Sequence, residues 1–209
     1  MLAEMKIRNA YTKHFKPFAM RRLRVSGFSL VELLVGLAIL GVLLALAAPS
    51  LADFINRRRV EAVAAELATD LAYARTEAAV RSEQVYVRFR SDDNLTCYSI
   101  SYWSGIGMCD CLREAGTSCG SGLSSAYELK INQLRRSLGV TMTPSQAENP
   151  FGFSGTQLRS SDPNFYVTVA GSRGATLLVK TNAAGRVLTC SPSGSGNIPG
   201  YQTCPANSQ

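Results

Sequence analysis

Residues Phe28 to Ala48 form an apolar run in which Glu32 is the only charge. As a helix this run of about 21 residues is roughly 31 Å long, at ~1.5 Å per residue, close to the ~30 Å hydrocarbon core of a bilayer. The run therefore predicts a membrane-length helix. An ionisable side chain inside such a segment is expensive, which makes Glu32 a functional candidate. A basic stretch, Arg21-Arg22-Leu23-Arg24, ends just before it.

That basic stretch also explains the charge of the chain. The 209 residues carry a formal net charge of +7. Residues 1–27 hold Lys6, Arg8, Lys13, Lys16, Arg21, Arg22 and Arg24 against Glu4 alone. The remainder is nearly neutral, so bulk charge argues nothing about nucleic acid once residues 1–27 are set aside. Lys and Arg flanking a membrane helix stay cytoplasmic, which sends residues 50–209 to the other side.

The one histidine, His14, lies in that same N-terminal stretch. Nothing after it can form a Ser-His-Asp or Cys-His pair or a histidine-ligated zinc site. No Walker A, HExxH or GxSxG pattern is present. The chain reads as a non-enzyme with no cofactor. Six cysteines follow the apolar run: Cys97, Cys109, Cys111, Cys119, Cys190 and Cys204. In an oxidising compartment they predict disulfides, with 15 possible pairings. Cys190 and Cys204 bracket a Pro/Gly/Ser loop far from the other four and are expected to pair. The other four are expected to bond among themselves, in an order the sequence leaves open. A metal site from Cys109, Cys111 and Cys119 is the rival reading, disfavoured by the lack of histidine.

Beyond Pro49 the pattern becomes amphipathic. Leu51, Phe54, Ile55, Val63, Leu67, Leu71, Ala74 and Ala78 recur at three- and four-residue steps, with Arg57-Arg58-Arg59, Glu61, Glu66, Asp70 and Arg75 mostly elsewhere. One helix from Ser29 to Ser82 is expected, apolar all round in its first half, with Pro49 kinking it. From Gln84 the period shifts to two, and Val85, Val87 and Phe89 alternate with Tyr86, Arg88 and Arg90. A turn at Asp92-Asp93-Asn94 leads to a paired strand over Thr96 to Trp103. Residues 104–126 read as a loop, and Tyr127 to Leu138 is ambiguous. Shorter strands are expected at Val140–Thr143, Phe151–Phe153, Phe165–Val169, Ala175–Lys180 and Arg186–Thr189. The fold class is α+β, a long N-terminal helix on an antiparallel β-sheet domain.

Gly27, then Phe28, then Glu32 as the fifth residue after the glycine, then a long apolar helix, resembles the processing signal of type IV pilins and pseudopilins. Gly41 and Pro49 fall where that family carries a helix-loosening glycine and proline. The segment from Glu66 to Ala78, the run Phe153-Ser154-Gly155-Thr156 and the pair Gly185-Arg186 resemble the GspH/FimT branch. The resemblance implies a leader, 1–27, cut after Gly27 by a prepilin peptidase and an N-methylated Phe28. It further implies a transmembrane and filament-core helix over 28–48, an amphipathic half over 49–82 and a periplasmic domain over 83–209. Met20 offers an alternative start for the leader, and the sequence leaves Met1 and Met20 both open.

The resemblance also implies partners: other pilin subunits, the peptidase, the inner membrane and, in the FimT group, DNA. Glu32 is expected to neutralise the new amino terminus of a neighbouring subunit. Some proteins of the FimT group bind DNA through Gly-Arg-x-Arg; here the run is Gly185-Arg186-Val187-Leu188, without the second arginine. Arg186, with Arg173 and Lys180 on adjacent hairpins, is the candidate DNA contact. Three functions follow: a minor type IV pilin, a DNA receptor for transformation, or a minor pseudopilin of a type II secretion system.

Overall fold

The structure is a computed structural model, and it describes residues 27–102, 109–119, 127–146, 150–157 and 159–205. The readings made on the leader, including His14 and Met20, fall outside these residues, as do Trp103 and much of the loop read over 104–126. The chain divides into two units, one ending at Leu44 and one from Ala45 onward.

Helix α1 runs from Leu30 to Arg81. Ser29 caps it by accepting the backbone N–H of Glu32 on its hydroxyl oxygen at 3.1 Å. Glu32 stands in the first turn and Arg81 in the last, where their charges complement the helix dipole. Ser82 closes the helix in a left-handed conformation, φ 56°. Gly41 and Pro49 both lie within α1, which is continuous as expected. Proline removes one N–H from the helix, and next to it the Ser50 hydroxyl donates to the Ala47 carbonyl at 2.9 Å. In the first unit the helix is exposed throughout, with no residue packed on its apolar surface among those described.

In the second unit α1 buries Asn56, Val60, Ala64, Leu67, Asp70, Leu71, Ala74 and Ala78. Leu67, Leu71, Ala74 and Ala78 belong to the line expected; its N-terminal part does not match. Leu51, Phe54 and Ile55 are exposed, while Asn56 and Asp70 are buried. Among the described residues the helix packs on two antiparallel sheets of four strands each. One holds β1 (Val85–Ser91), β2 (Leu95–Tyr102), β3 (Glu128–Arg135) and β5 (Phe151–Phe153), in the order β3-β2-β1-β5. The other holds β4 (Val140–Pro144), β6 (Tyr166–Gly171), β7 (Thr176–Thr181) and β8 (Val187–Cys190), in the order β4-β6-β7-β8. The core joins Leu67 and Leu71 to Val87, Ile100 and Phe153 of the first sheet and to Val167, Leu177 and Val179 of the second.

The turns form where the side chains favour them. Asp92 accepts the N–H groups of Asn94 and Leu95 at 2.7 and 2.8 Å, closing β1 onto β2. All six cysteines are oxidised: Cys97 to Cys111, Cys109 to Cys119 and Cys190 to Cys204.

Candidate functional site

The head of α1 contains little that the fold itself requires. Nothing lies within 4 Å of where a Cβ on Gly27 would sit, so local crowding does not demand glycine there. The Phe28 ring is 82% exposed. The Glu32 carboxylate has no hydrogen bond or ion pair among the described residues, although its backbone N–H is held by Ser29. Gly36 and Gly41 likewise meet nothing within 4 Å. Ser29-Leu30-Val31-Glu32 has the Ser-x-x-Glu pattern of a capping box, a signal for Ser29 that the reading of the sequence passed over.

Polar contacts fix the second half of α1 on the sheets. Asp70, 4% exposed, accepts the Tyr98 hydroxyl at 2.6 Å and the Lys130 ammonium at 2.7 Å. Glu66 accepts the Asn132 amide at 2.7 Å, and Glu77 accepts the Tyr102 hydroxyl at 2.9 Å. Burial, then the hydrogen bond to Asp70, pushes the Tyr98 hydroxyl well above its ordinary value. Burial and Glu77 push Tyr102 up to about 12. At the other end, the Asn56 amide donates to the Gly139 carbonyl at 3.0 Å and its oxygen accepts the Arg173 N–H at 3.4 Å. Arg59 donates to the Leu138 carbonyl at 2.9 Å.

The three expected DNA contacts are not brought together as neighbours. Arg173 lies in the β6–β7 turn and is paired with Asp53. Arg186 lies in the β7–β8 turn, where its N–H is held by the Asn182 side chain at 2.9 Å. Those turns are at opposite ends of β7, a strand roughly 17 Å long at ~3.3 Å per residue. Lys180 is near the Arg186 end, paired in register with Leu188. Adjacent hairpins place their turns alternately at the two ends of a sheet, so sequence proximity of the hairpins separated rather than clustered these charges.

The two C-terminal motif glycines have a structural use. A Cβ on Gly155 would lie 2.3 Å from the Ala78 carbonyl oxygen and 2.5 Å from the backbone of Glu83. Gly185, at φ +68°, would bring a Cβ within 3.0 Å of Arg75. Each lets a loop close directly onto the end of α1.

Two family models match the chain: the prokaryotic N-terminal methylation motif over residues 22–48 and the type II transport protein GspH over residues 63–194. No curated protein matches significantly. Among solved structures, the type IV minor pilin FimU of Pseudomonas aeruginosa PAO1 is similar in two crystal forms. One is 17% identical, covers 71% of this chain and 98% of its own, and gives a TM-score of 0.46. The other is 15% identical, covers 68% and 98%, and gives 0.45. The GspH match spans more than half of the sequence and follows a methylation motif on a membrane-length helix, so the chain belongs to the type IV pilin-like GspH family.

Proposed function

We propose that the chain is a minor type IV pilin, a structural subunit that is cut between Gly27 and Phe28, N-methylated and drawn from the inner membrane into a filament. Its partners are then the prepilin peptidase and the N-terminal helices of other pilin subunits. Its 83–209 domain lies in the periplasm before assembly. The observation that carries this reading is the head of α1: an exposed apolar surface of membrane length with one carboxylate, Glu32, left without a partner among the described residues. In a helical bundle the positive amino terminus of an arriving Phe28 supplies that partner. In a low-dielectric bundle such a pair is far stronger than in water, and either charge left alone is costly. Glu32 would thereby set the register of each subunit.

The test is incorporation. Glu32→Ala is expected to be processed and to remain in the membrane, while its amount in sheared filaments falls about tenfold or more, the loss of an ion pair in low dielectric. Filament incorporation at the wild-type level would sink the assembly role of Glu32. Gly27→Val is expected to leave the uncut precursor in the membrane.

A second reading is a minor pseudopilin of a type II secretion system, favoured by the description of the family matched over residues 63–194. A deletion strain separates the two: loss of surface pili supports the pilin, whereas loss of exoprotein secretion with pili intact supports the pseudopilin. A contribution to DNA uptake rests on Arg186 with Lys180 alone, since Arg173 is held by Asp53. Arg186→Ala that loses DNA binding with pili intact would support the receptor role.

A further inference from the structure

Arg75 projects from the buried face of α1, between Ala74 and Ala78, to the edge of the β5 loop and the β7–β8 turn. Its Nε is shielded from solvent and has no hydrogen-bond partner among the described residues. A shielded guanidinium nitrogen left unpaired costs the desolvation of a charged donor. Gly185 closes over it from one side. From the other side comes the loop after β5, tied down by the Ser154 N–H to the Arg159 carbonyl at 3.0 Å and the Ser161 N–H to the Gly152 carbonyl at 2.8 Å.

Between these walls lie two adjoining cavities of about 410 and 560 Å³ that share Gln157, Arg159 and Ala183. Arg75 lines the smaller. No Asp or Glu lines either, among the described residues. Among the described residues Arg58, Arg81, Arg90 and Arg173 each have a carboxylate within 4.0 Å, and Arg75 and Arg159, like several exposed arginines, have none. The other polar groups of the larger cavity include donors. The Ser161 oxygen accepts the Gly152 N–H at 2.9 Å, which leaves its own hydrogen to give. The Gln84 carbonyl oxygen accepts the Tyr86 hydroxyl at 2.6 Å, which leaves its amide hydrogens to give.

We propose that this cleft binds a phosphate-class oxyanion, with Arg75 and Arg159 as its charge partners and Ser161 and Gln84 as neutral donors. Two guanidinium groups with no carboxylate between them attract an anion, and charge-assisted bonds to it are about twice as strong as neutral ones. A planar carboxylate is satisfied by a single guanidinium fork. Donors arriving from the helix, the loop after β5 and Gln84 just ahead of β1 instead suit a tetrahedral group with acceptor oxygens on several sides. The cavity volume beyond the arginines leaves room for the rest of a phosphoester. Sequence reading alone does not find the site, because Arg75 and Arg159 are 84 residues apart and each reads as a solvated surface charge.

The experiment uses the full chain in detergent micelles and phosphate-free buffer. Radiolabelled inorganic phosphate is followed by equilibrium dialysis, with acetate and a short oligothymidylate as competitors. Saturable phosphate uptake is expected, with Arg159→Gln and Arg75→Gln each weakening it about tenfold, the loss of one charge-assisted contact. Arg57→Gln, an exposed site on α1, is expected to leave it unchanged. Arg159 is on an exposed loop, so its variant reports on the site even where Arg75→Gln perturbs packing. Displacement by the oligonucleotide identifies a phosphodiester as the source; displacement by free phosphate alone identifies a small phosphate or monoester. The proposal is overturned by non-saturable uptake, by uptake indifferent to Arg159→Gln, or by acetate competing as well as phosphate.

Discussion

Asp70 shows how one residue can contradict a pattern and still satisfy it. Its position, three after Leu67 and four before Ala74, lies on the buried line of α1. Its charge suggested the opposite face, because Asp is seldom buried without partners. The partners are Tyr98 and Lys130, on strands β2 and β3, more than 25 residues away in sequence, and nothing local announces them. Asp70→Asn keeps the shape but turns an acceptor of two donors into a group that also donates. It is expected to cost about 1.5–3 kcal/mol, the range for a hydrogen bond to a charged group, read from the shift in urea midpoint. The tyrosines add a pH dependence of definite sign. Tyr98 and Tyr102 titrate above the ordinary 10.0 when folded, so the unfolded chain releases protons first. The stabilising contribution of Tyr102 is complete below pH 10 and is lost as pH rises to about 12, and that of Tyr98 goes on falling beyond it. Denaturation midpoints measured from about pH 9 upward should fall with pH, and the fall should flatten in the double variant Tyr98→Phe, Tyr102→Phe.

At the scale of the element, the existence of α1 was plain from sequence and the phase of its buried face was not. Hydrophobic spacing marked Leu51, Phe54 and Ile55 together with Leu67 and Leu71, yet the first three are exposed and the last two are wholly buried. The helix carries apolar residues on more of its circumference than the sheets cover, so periodicity alone does not say which stripe meets the core. Substitution separates the stripes. Leu67→Ala removes a fully buried side chain and is expected to cost about 2–5 kcal/mol, whereas Leu51→Ala should stay within about 0.5 kcal/mol in the unassembled chain. Equal losses in chemical denaturation would contradict the packing described here. Among the strands, β1 was readable because Val85, Val87 and Phe89 turn inward while their neighbours do not. The ambiguity over residues 127–138 has a cause: β3 is the edge of its sheet and buries only Leu134 closely, so its Lys, Asn and Gln residues erase the two-residue period.

At the scale of the whole molecule, pairing across long sequence gaps is what the chain did not disclose. β5 leaves its neighbours in sequence to pair with β1, while β4 joins β6, and this divides one expected β domain into two sheets. Short strands of similar composition carry no mark of which sheet they enter. The candidate cleft has the same origin, since it exists only where α1, the β5 loop and the β7–β8 turn meet. The C-terminal staple, by contrast, depends on local order. Between Cys190 and Cys204, 14 residues apart, the chain folds back so that Ser191 donates to the Gln202 carbonyl and Cys204 donates to the Ser191 carbonyl, both at 2.9 Å. Ile198, at the centre of that loop, is completely buried and belongs to the main core. The disulfide acts mainly by restricting the unfolded chain, and a loop of this size corresponds to about 3 kcal/mol. The double variant Cys190→Ser, Cys204→Ser should therefore lower the unfolding free energy from urea denaturation by about 3 kcal/mol and shift the midpoint down accordingly. The backbone bonds that remain should keep the loop native below the transition, but with faster hydrogen exchange at Ile198 than at Leu177. Exchange that quickens equally at both residues would mean the staple stabilises the domain only globally; an unchanged midpoint would mean the bond contributes nothing beyond the contacts around it.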